Sequence, residues 1–196
     1  MILIIGLGNQ GNRFQLTRHN SGWVVLDLLQ KKWKKEHNFS DWKESKKMEA
    51  KISQGIIKDK KIILAKPSTF MNLSGKTIKS LTFYYKVSPK DLLVVHDDID
   101  IELNKIKLSK NRNAAGHKGV LSIIEELKTK DFPRLRIGIK PKKCKPKNTE
   151  GFVLLKFNER EKEIIKESAK KAIEATEIII DKGIDKAMNK FNKNQD

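Results

Sequence analysis

Ile2-Leu3-Ile4-Ile5-Gly6-Leu7-Gly8-Asn9-Gln10-Gly11 opens on four branched apolar residues and closes on three glycines. A short run of this kind that stops at glycine reads as a strand buried on both faces, followed by a tight turn. Similar runs recur along the chain. Residues 50–57 and 61–65 flank Lys58-Asp59-Lys60 as a hairpin, residues 92–95 lead into His96-Asp97-Asp98, and residues 135–139 form a further strand. Between them the spacing turns helical. Val24, Val25, Leu28, Leu29 and Trp33 share one helix face, with Asn20 or Ser21 as its N-cap. Ile78, Leu81, Thr82 and Tyr85 share another, which Ser74 would cap. Val120, Leu121, Ile124 and Leu127 mark a third, approached through Ala114-Ala115-Gly116. Asn158 with Glu161 three residues on predicts a capping box before a long helix. Ile165, Ala169, Ala172, Ile173, Thr176 and Ile180 line the buried side of that helix, Gly183 ends it, and residues 184–192 make a last short one. Residues 31–47, dense in Lys and Trp, fit no single element. Strands alternating with helices predict an α/β fold: a single domain over residues 1–196, with a twisted mixed, mostly parallel sheet and helices on both faces. Residues 140–150 hold two prolines and no periodicity, and are expected to form an exposed, mobile, basic loop.

The 196 residues carry 42 Lys+Arg against 24 Asp+Glu, a formal charge of +18. A field of that sign selects polyanionic partners, nucleic acid first. No stretch approaches the ~18 apolar residues of a membrane span, and the N-terminus lacks the basic and apolar regions of a signal peptide. A single cysteine, Cys144, excludes an internal disulfide and a Cys-rich zinc site. A reducing cytoplasm is the simplest compartment.

Several segments carry chemistry. Gly6-x-Gly8-x-x-Gly11 fits a dinucleotide fingerprint. Two features oppose that reading: residues 12–19 are polar where a packed helix is required, and Asp27 falls inside a helix rather than at a strand end. A tight turn accounts for the glycines. His19, just before a helix, is either a polar cap or a general base. Phe70-Met71-Asn72 offers an apolar shelf with one amide, or simply core residues at a helix start. His96-Asp97-Asp98-Ile99-Asp100, at the carboxyl end of a strand, stands where open α/β sheets place their sites, and would otherwise be a solvated turn. No second carboxylate cluster and no His-x-x-x-His accompanies it, so a metal is not expected. Ala114-Ala115-Gly116-His117-Lys118-Gly119 opens a helix with free N–H groups and nearby cations suited to phosphate. Residues 131–139 place two arginines, Arg134 and Arg136, on one strand.

Taken together and in this order, Gly6-Leu7-Gly8-Asn9-x-Gly11, Thr17-Arg18-His19-Asn20-x-Gly22, Lys66-Pro67-x-Thr69-Phe70-Met71-Asn72-Leu73-Ser74-Gly75, His96-Asp97-Asp98-x-Asp100, Gly116-His117-x-Gly119 and Asp131-Phe132-Pro133-Arg134-Leu135-Arg136-Ile137-Gly138-Ile139 resemble the bacterial-type peptidyl-tRNA hydrolase family. The resemblance spans essentially the whole chain. It implies a one-domain, usually monomeric cytoplasmic enzyme of translation, without cofactor, metal or obligate protein partner. Such an enzyme cleaves the ester between a peptide and the terminal ribose of tRNA, recycling tRNA from peptidyl-tRNA that has left the ribosome. It also implies roles: His19 as catalytic base, Asp97 as the acid holding its imidazole, and Asn9 and Asn72 on the peptide or the CCA end. Phe70 and Met71 would line the groove, and Phe14, Lys118 and Arg136 would serve substrate and tRNA binding along the acceptor stem.

Three positions depart from the family pattern. Gln10 replaces a Pro, which should loosen the turn after Asn9. Phe14 replaces a Tyr, and Lys118 replaces an Asn used on the substrate's 3′ end. The basic 140–150 loop stands in the place of the family's lid. The rival reading is an RNA-binding protein on the same fold without catalysis.

Overall fold

In the computed structural model, which describes residues 1–142 and 144–193, seven strands form one sheet in the order β2-β3-β4-β1-β5-β7-β6. They are β1 Ile2–Gly6, β2 Lys43–Ser45, β3 Ala50–Ile57, β4 Lys60–Pro67, β5 Leu92–Glu102, β6 Ile106–Ser109 and β7 Arg134–Lys140. β4, β1, β5 and β7 run parallel, while β2, β3 and β6 pair antiparallel at the edges. The helices are α1 Ser21–His37, α2 Ser74–Tyr85, α3 Lys118–Leu127, α4 Thr149–Val153, α5 Glu159–Lys182 and α6 Ile184–Phe191.

Strand side chains alternate between the two faces. Ile4, Ile62, Leu64, Leu93 and Val95 pack under α1, α5 and α6, where Leu26, Leu29, Trp33, Ala172 and Ala187 meet them. Leu3, Ile5, Ile63, Leu92 and Val94 pack under α2 and α3 against Ile78, Leu81, Val120 and Ile123. The central strands bury both faces, which is why they read as unbroken apolar runs. No helix among the described residues is long and apolar enough to cross a membrane.

From β1 the chain moves toward β4 and later returns to β5 on the other side, so the carboxyl end of β1 is a topological switch point, where ligand crevices open in such sheets. The glycines of the first stretch serve this junction rather than a dinucleotide. A Cβ on Gly6 would lie 2.5 Å from the Gly22 carbonyl oxygen of α1, and Gly11 turns the chain at φ +114°. Asp27, the acid inside the helix, pairs with Lys66 of β4.

Four expectations are corrected. β5 does not end at Val95 but runs to Glu102, placing His96, Asp97 and Asp98 in a buried strand rather than a solvated turn. Ser74 is the first residue of α2 and caps nothing; its Oγ is buried without a partner among the described residues. Leu121 faces solvent, and Ile123 takes the core position in α3. The 140–150 segment is not wholly irregular, because α4 begins at Thr149 with the Asn148 side chain accepting from Gly151 N–H. Within that segment Lys143 lies outside the described residues. The unassigned 31–47 region splits into the end of α1, which terminates on left-handed Asn38, and β2. The capping box at Asn158 and Glu161 is present in both directions, at 2.9 Å each.

Candidate active site

Two loops, one after β1 and one leading into α3 at His117, meet over the carboxyl end of β1 and the His96–Asp98 stretch of β5. The first, residues 7–20, is tied down at both ends. Asn9 N–H donates to Asn20 Oδ1 at 2.8 Å, and Asn20 Nδ2 returns a bond to the Asn9 carbonyl at 3.0 Å. Asn9 Oδ1 accepts from Met71 N–H at 2.9 Å. Asn9 is therefore buried and pinned from two directions, and the turn keeps its shape without a Pro at position 10. Its Nδ2 makes no hydrogen bond among the described residues and remains a donor for a ligand. Asn20 holds the position of N-cap to α1, yet its side chain serves Asn9 instead of the helix.

Arg18 anchors the same loop from below. Nη1 donates to the carbonyls of Leu155 and Lys156, and Nη2 reaches both oxygens of Glu161 at 2.7 Å. Its guanidinium also stacks on Phe152 and Phe157. Arg18 fixes where the loop sits; it does not touch His19's ring nitrogens.

His19 Nδ1 lies 2.9 and 3.1 Å from the two oxygens of Asp97. His117 Nε2 lies 3.1 Å from Asp97 Oδ1, and the two imidazoles are 4.8 Å apart, centre to centre. His117 is the side-chain cap of α3: its Nδ1 accepts from Val120 N–H at 3.3 Å. An Nδ1 that accepts carries no proton, so the hydrogen-bond pattern assigns the proton of His117 to Nε2, facing Asp97. Burial by itself would push the Asp97 pKa up. The two histidines outweigh it and hold the carboxyl far below the usual range, so Asp97 is a carboxylate. His19 Nδ1–H then donates to it, leaving Nε2 as the lone-pair nitrogen. Burial would lower the His19 pKa, but the charge and hydrogen bond of Asp97 raise it above the ordinary 6.5, with the Lys118 ammonium opposing.

His19, Asp97 and His117 offer ligand atoms all within 4.8 Å of one another, a trio the linear spacing did not reveal. Distance would allow a transition metal. The His117 tautomer opposes it, since Nδ1 is committed to Val120 and Nε2 points a proton at the trio.

The other anticipated residues fall around this centre. Met71 is buried, its sulfur against Gly119, while Phe70 is 61% exposed and flanks the opening. Asn72 is exposed, and its amide makes no hydrogen bond among the described residues. Phe14 is half-buried under the Arg13 guanidinium. Lys118 pairs with Glu150 at 2.8 Å, joining the start of α3 to the first turn of α4. Arg136 is not free for a ligand at Nε, which donates to Asp98 at 2.8 Å. Two residues went unassigned from sequence. His117 stood in a segment read as a phosphate loop, and its cap position three residues before Val120 was the available signal. Arg134 is buried and donates to the carbonyls of Arg112 and Asn113, holding the loop that delivers His117.

His96 is buried behind the trio, its ring 4.7 Å from that of His117. Burial, then His117, drives its pKa well below 6.5. A histidine kept neutral in the fold takes up a proton on unfolding, so its stability contribution is complete above 6.5 and is lost as pH falls. His19 has the opposite sign: its contribution is complete below 6.5 and is lost as pH rises through its raised folded value. These two groups place the stability maximum near pH 6.5. Urea unfolding between pH 5 and 8 should show an acid arm no steeper than about 1.4 kcal/mol per pH unit from His96, and His96→Asn should flatten it.

A histidine steered by an ionised carboxylate at the switch point of a mostly parallel sheet is an arrangement chemically able to deprotonate water. The family is shown by comparison with known proteins: the peptidyl-tRNA hydrolase family matches residues 3–196. A peptidyl-tRNA hydrolase of Clostridium botulinum (strain Alaska E43 / Type E3) is 38% identical over 98% of this chain and 96% of its own. One of Caldanaerobacter subterraneus subsp. tengcongensis is 40% identical over 98% of this chain and 100% of its own. The crystal structure of peptidyl-tRNA hydrolase from Acinetobacter baumannii superposes with a TM-score of 0.87 at 28% identity, covering 98% of this chain and 94% of that one. The chain belongs to the peptidyl-tRNA hydrolase family.

Proposed function

We propose that the protein hydrolyses the ester between a peptide, or an N-blocked aminoacyl group, and the terminal ribose of tRNA, with His19 as the base. The observation that carries this is the 2.9 Å contact of His19 Nδ1 with the Asp97 carboxylate, which leaves Nε2 as acceptor. Nε2 takes a proton from water as the oxygen attacks the ester carbonyl carbon. The carbonyl oxygen gains negative charge, for which the unpaired Asn72 amide is the donor we assign. Collapse breaks the bond to the ribose oxygen, which receives the proton from the His19 imidazolium. Asp97 steadies that imidazolium while it exists. The free Asn9 Nδ2, beside the groove floored by Met71 and flanked by Phe70, would donate to the peptide carbonyl that a free aminoacyl group lacks. We assign Phe14, Lys118 and Arg136 to the approach of the CCA end and acceptor stem, with the charge of +18 supplying salt-dependent affinity.

We take residues 1–196 as one domain acting as a monomer in the cytoplasm, an assignment supported by the single free, exposed Cys144. The 140–150 segment would act as its lid, the Lys118–Glu150 pair linking it to the site. Release of N-acetyl-aminoacyl groups from tRNA should exceed release of unblocked ones by about 10–10²-fold, since leaving a buried donor unpaired costs about 1–3 kcal/mol. Equal rates on both would remove Asn9 from the selection, and tight tRNA binding without cleavage would leave a binding protein.

A further inference from the structure

The far end of α2, about 15 Å along the helix from Ser74 at 1.5 Å per residue, carries a surface the reaction does not use. Phe83 is 85% exposed and Tyr84 57% exposed, large rings left in water. Tyr84 meets Tyr85 edge to face at 4.9 Å, so its ring is braced in orientation. Between this end of α2 and the β2–β3 edge lies a cleft of about 300 Å³, lined by Lys43, Lys47, Tyr84 and Tyr85 among others. A second, shallower recess on the other side of Tyr84 is lined by Phe83 and Lys86. Lys61 adds its ammonium 5.9 Å from the Tyr85 ring. Lys43, Lys47 and Lys86 make no ion pair among the described residues, although most lysines that pair elsewhere in this chain find a carboxylate within 3 Å. Glu44 is the one acid among the described residues lining either recess.

We infer that this face binds an unpaired RNA strand, with one or two bases stacked on Tyr84 and Phe83 and the backbone phosphates on Lys43, Lys47 and Lys86. Exposed rings interleaved with unpaired cations are what a sequence-tolerant single-strand platform requires: every base offers a π-face, and the lysines track the phosphates. Charge complementarity selects the occupant. A protein partner would require a broad apolar core or acids of its own; here the large exposed apolar side chains are two rings, backed by the buried or partly buried Met48, Ile52 and Val87, and the field is positive. The site is separate from the His19 groove, and it stands whether or not His19 is catalytic.

Binding of a fluorescein-labelled ten-nucleotide single-stranded RNA, followed by anisotropy at several salt concentrations, tests this. The comparison strands are a duplex of equal length and an abasic ten-mer. The wild type should prefer the single strand to both. Phe83→Ser with Tyr84→Ser should lose about tenfold or more in affinity, the scale of base–aromatic stacking, and should abolish the preference over the abasic strand. Tyr84→Phe, which keeps the ring, should retain binding, so that loss of the ring is separated from loss of the fold. Lys43→Gln with Lys47→Gln should reduce the slope of log Kd against log salt by about 1.4, at ~0.7 per phosphate contact on single strands. Unchanged binding by the serine variant, or equal wild-type affinity for abasic and normal strands, overturns the proposal. An acidic peptide that binds more tightly than RNA and is lost with the same variants would make the face a protein-docking surface and overturn it equally.

Discussion

His19→Ala is expected to lower kcat for deacylation of N-blocked aminoacyl-tRNA by about 10²–10⁴-fold, the range of a positioned general base, while KM changes little. The split follows from where the groups sit. In the proposed complex the tRNA would be held by cations and rings outside the trio, so removing one imidazole should subtract nothing from phosphate binding. The fold should tolerate the change, because Asp97 would not be left as an unpaired buried charge: His117 Nε2 still donates to it at 3.1 Å. Single-turnover deacylation at saturating enzyme, with circular dichroism to confirm folding, reads the effect directly. A kcat within threefold of wild type would show that water is activated elsewhere.

The candidate site was partly legible in the chain because its parts stand at strand ends and helix starts, where local signals are strong. β1 and β5 announced themselves by unbroken apolar runs, since each buries both faces. The extension of β5 to Glu102 was invisible for the same reason turned round. Polar residues normally mark the end of a strand, and here Asp97 and Asp98 are buried because histidine N–H groups and the Arg136 guanidinium, from other elements, pair with them. Leu121 misled because a helical face defined by four apolar residues can rotate by one position; the packing of Ile123 under α2 decides it, and that is a tertiary fact. Ser74 looked like a cap because serine usually is one, but the preceding turn at Met71–Leu73 already leads the chain into α2. His117 shows the deepest limit. Its role depends on accepting from Val120 while donating to a strand twenty residues earlier, and spacing along the chain carries no trace of the second contact. The departure at position 10 teaches the converse: the stiffness a proline would provide is replaced by the reciprocal amide bonds between Asn9 and Asn20.

Asp97→Asn should cost somewhat less than His19→Ala, still within about 10²–10⁴-fold in kcat, and for a reason peculiar to this trio. His117 is locked by Val120 into pointing its Nε2 proton at position 97. An asparagine must therefore turn its oxygen toward Nε2 of His117, in the place of Oδ1. Its NH₂ group then occupies the place of Oδ2, 3.1 Å from His19 Nδ1 in the native site. The oxygen, in the place of Oδ1, stays 2.9 Å from Nδ1 and still accepts from it, so the loss comes from the competing NH₂ donor beside Nδ1 and from removal of the negative charge that steadies the imidazolium. The residual activity carries a second signature. Asp97 is what lifts the His19 pKa above 6.5 against burial, so without the carboxylate the pKa falls. The base works in its neutral form, and the acid limb of the pH–rate profile should accordingly move to lower pH, even as the plateau drops. The loss of kcat alone would be compatible with a merely structural acid; the shift of the acid limb is not. An Asp97→Asn enzyme with an unmoved acid limb would mean that Asp97 neither charges nor orients His19, and the two would have to be read as neighbours that share a buried site without sharing the reaction.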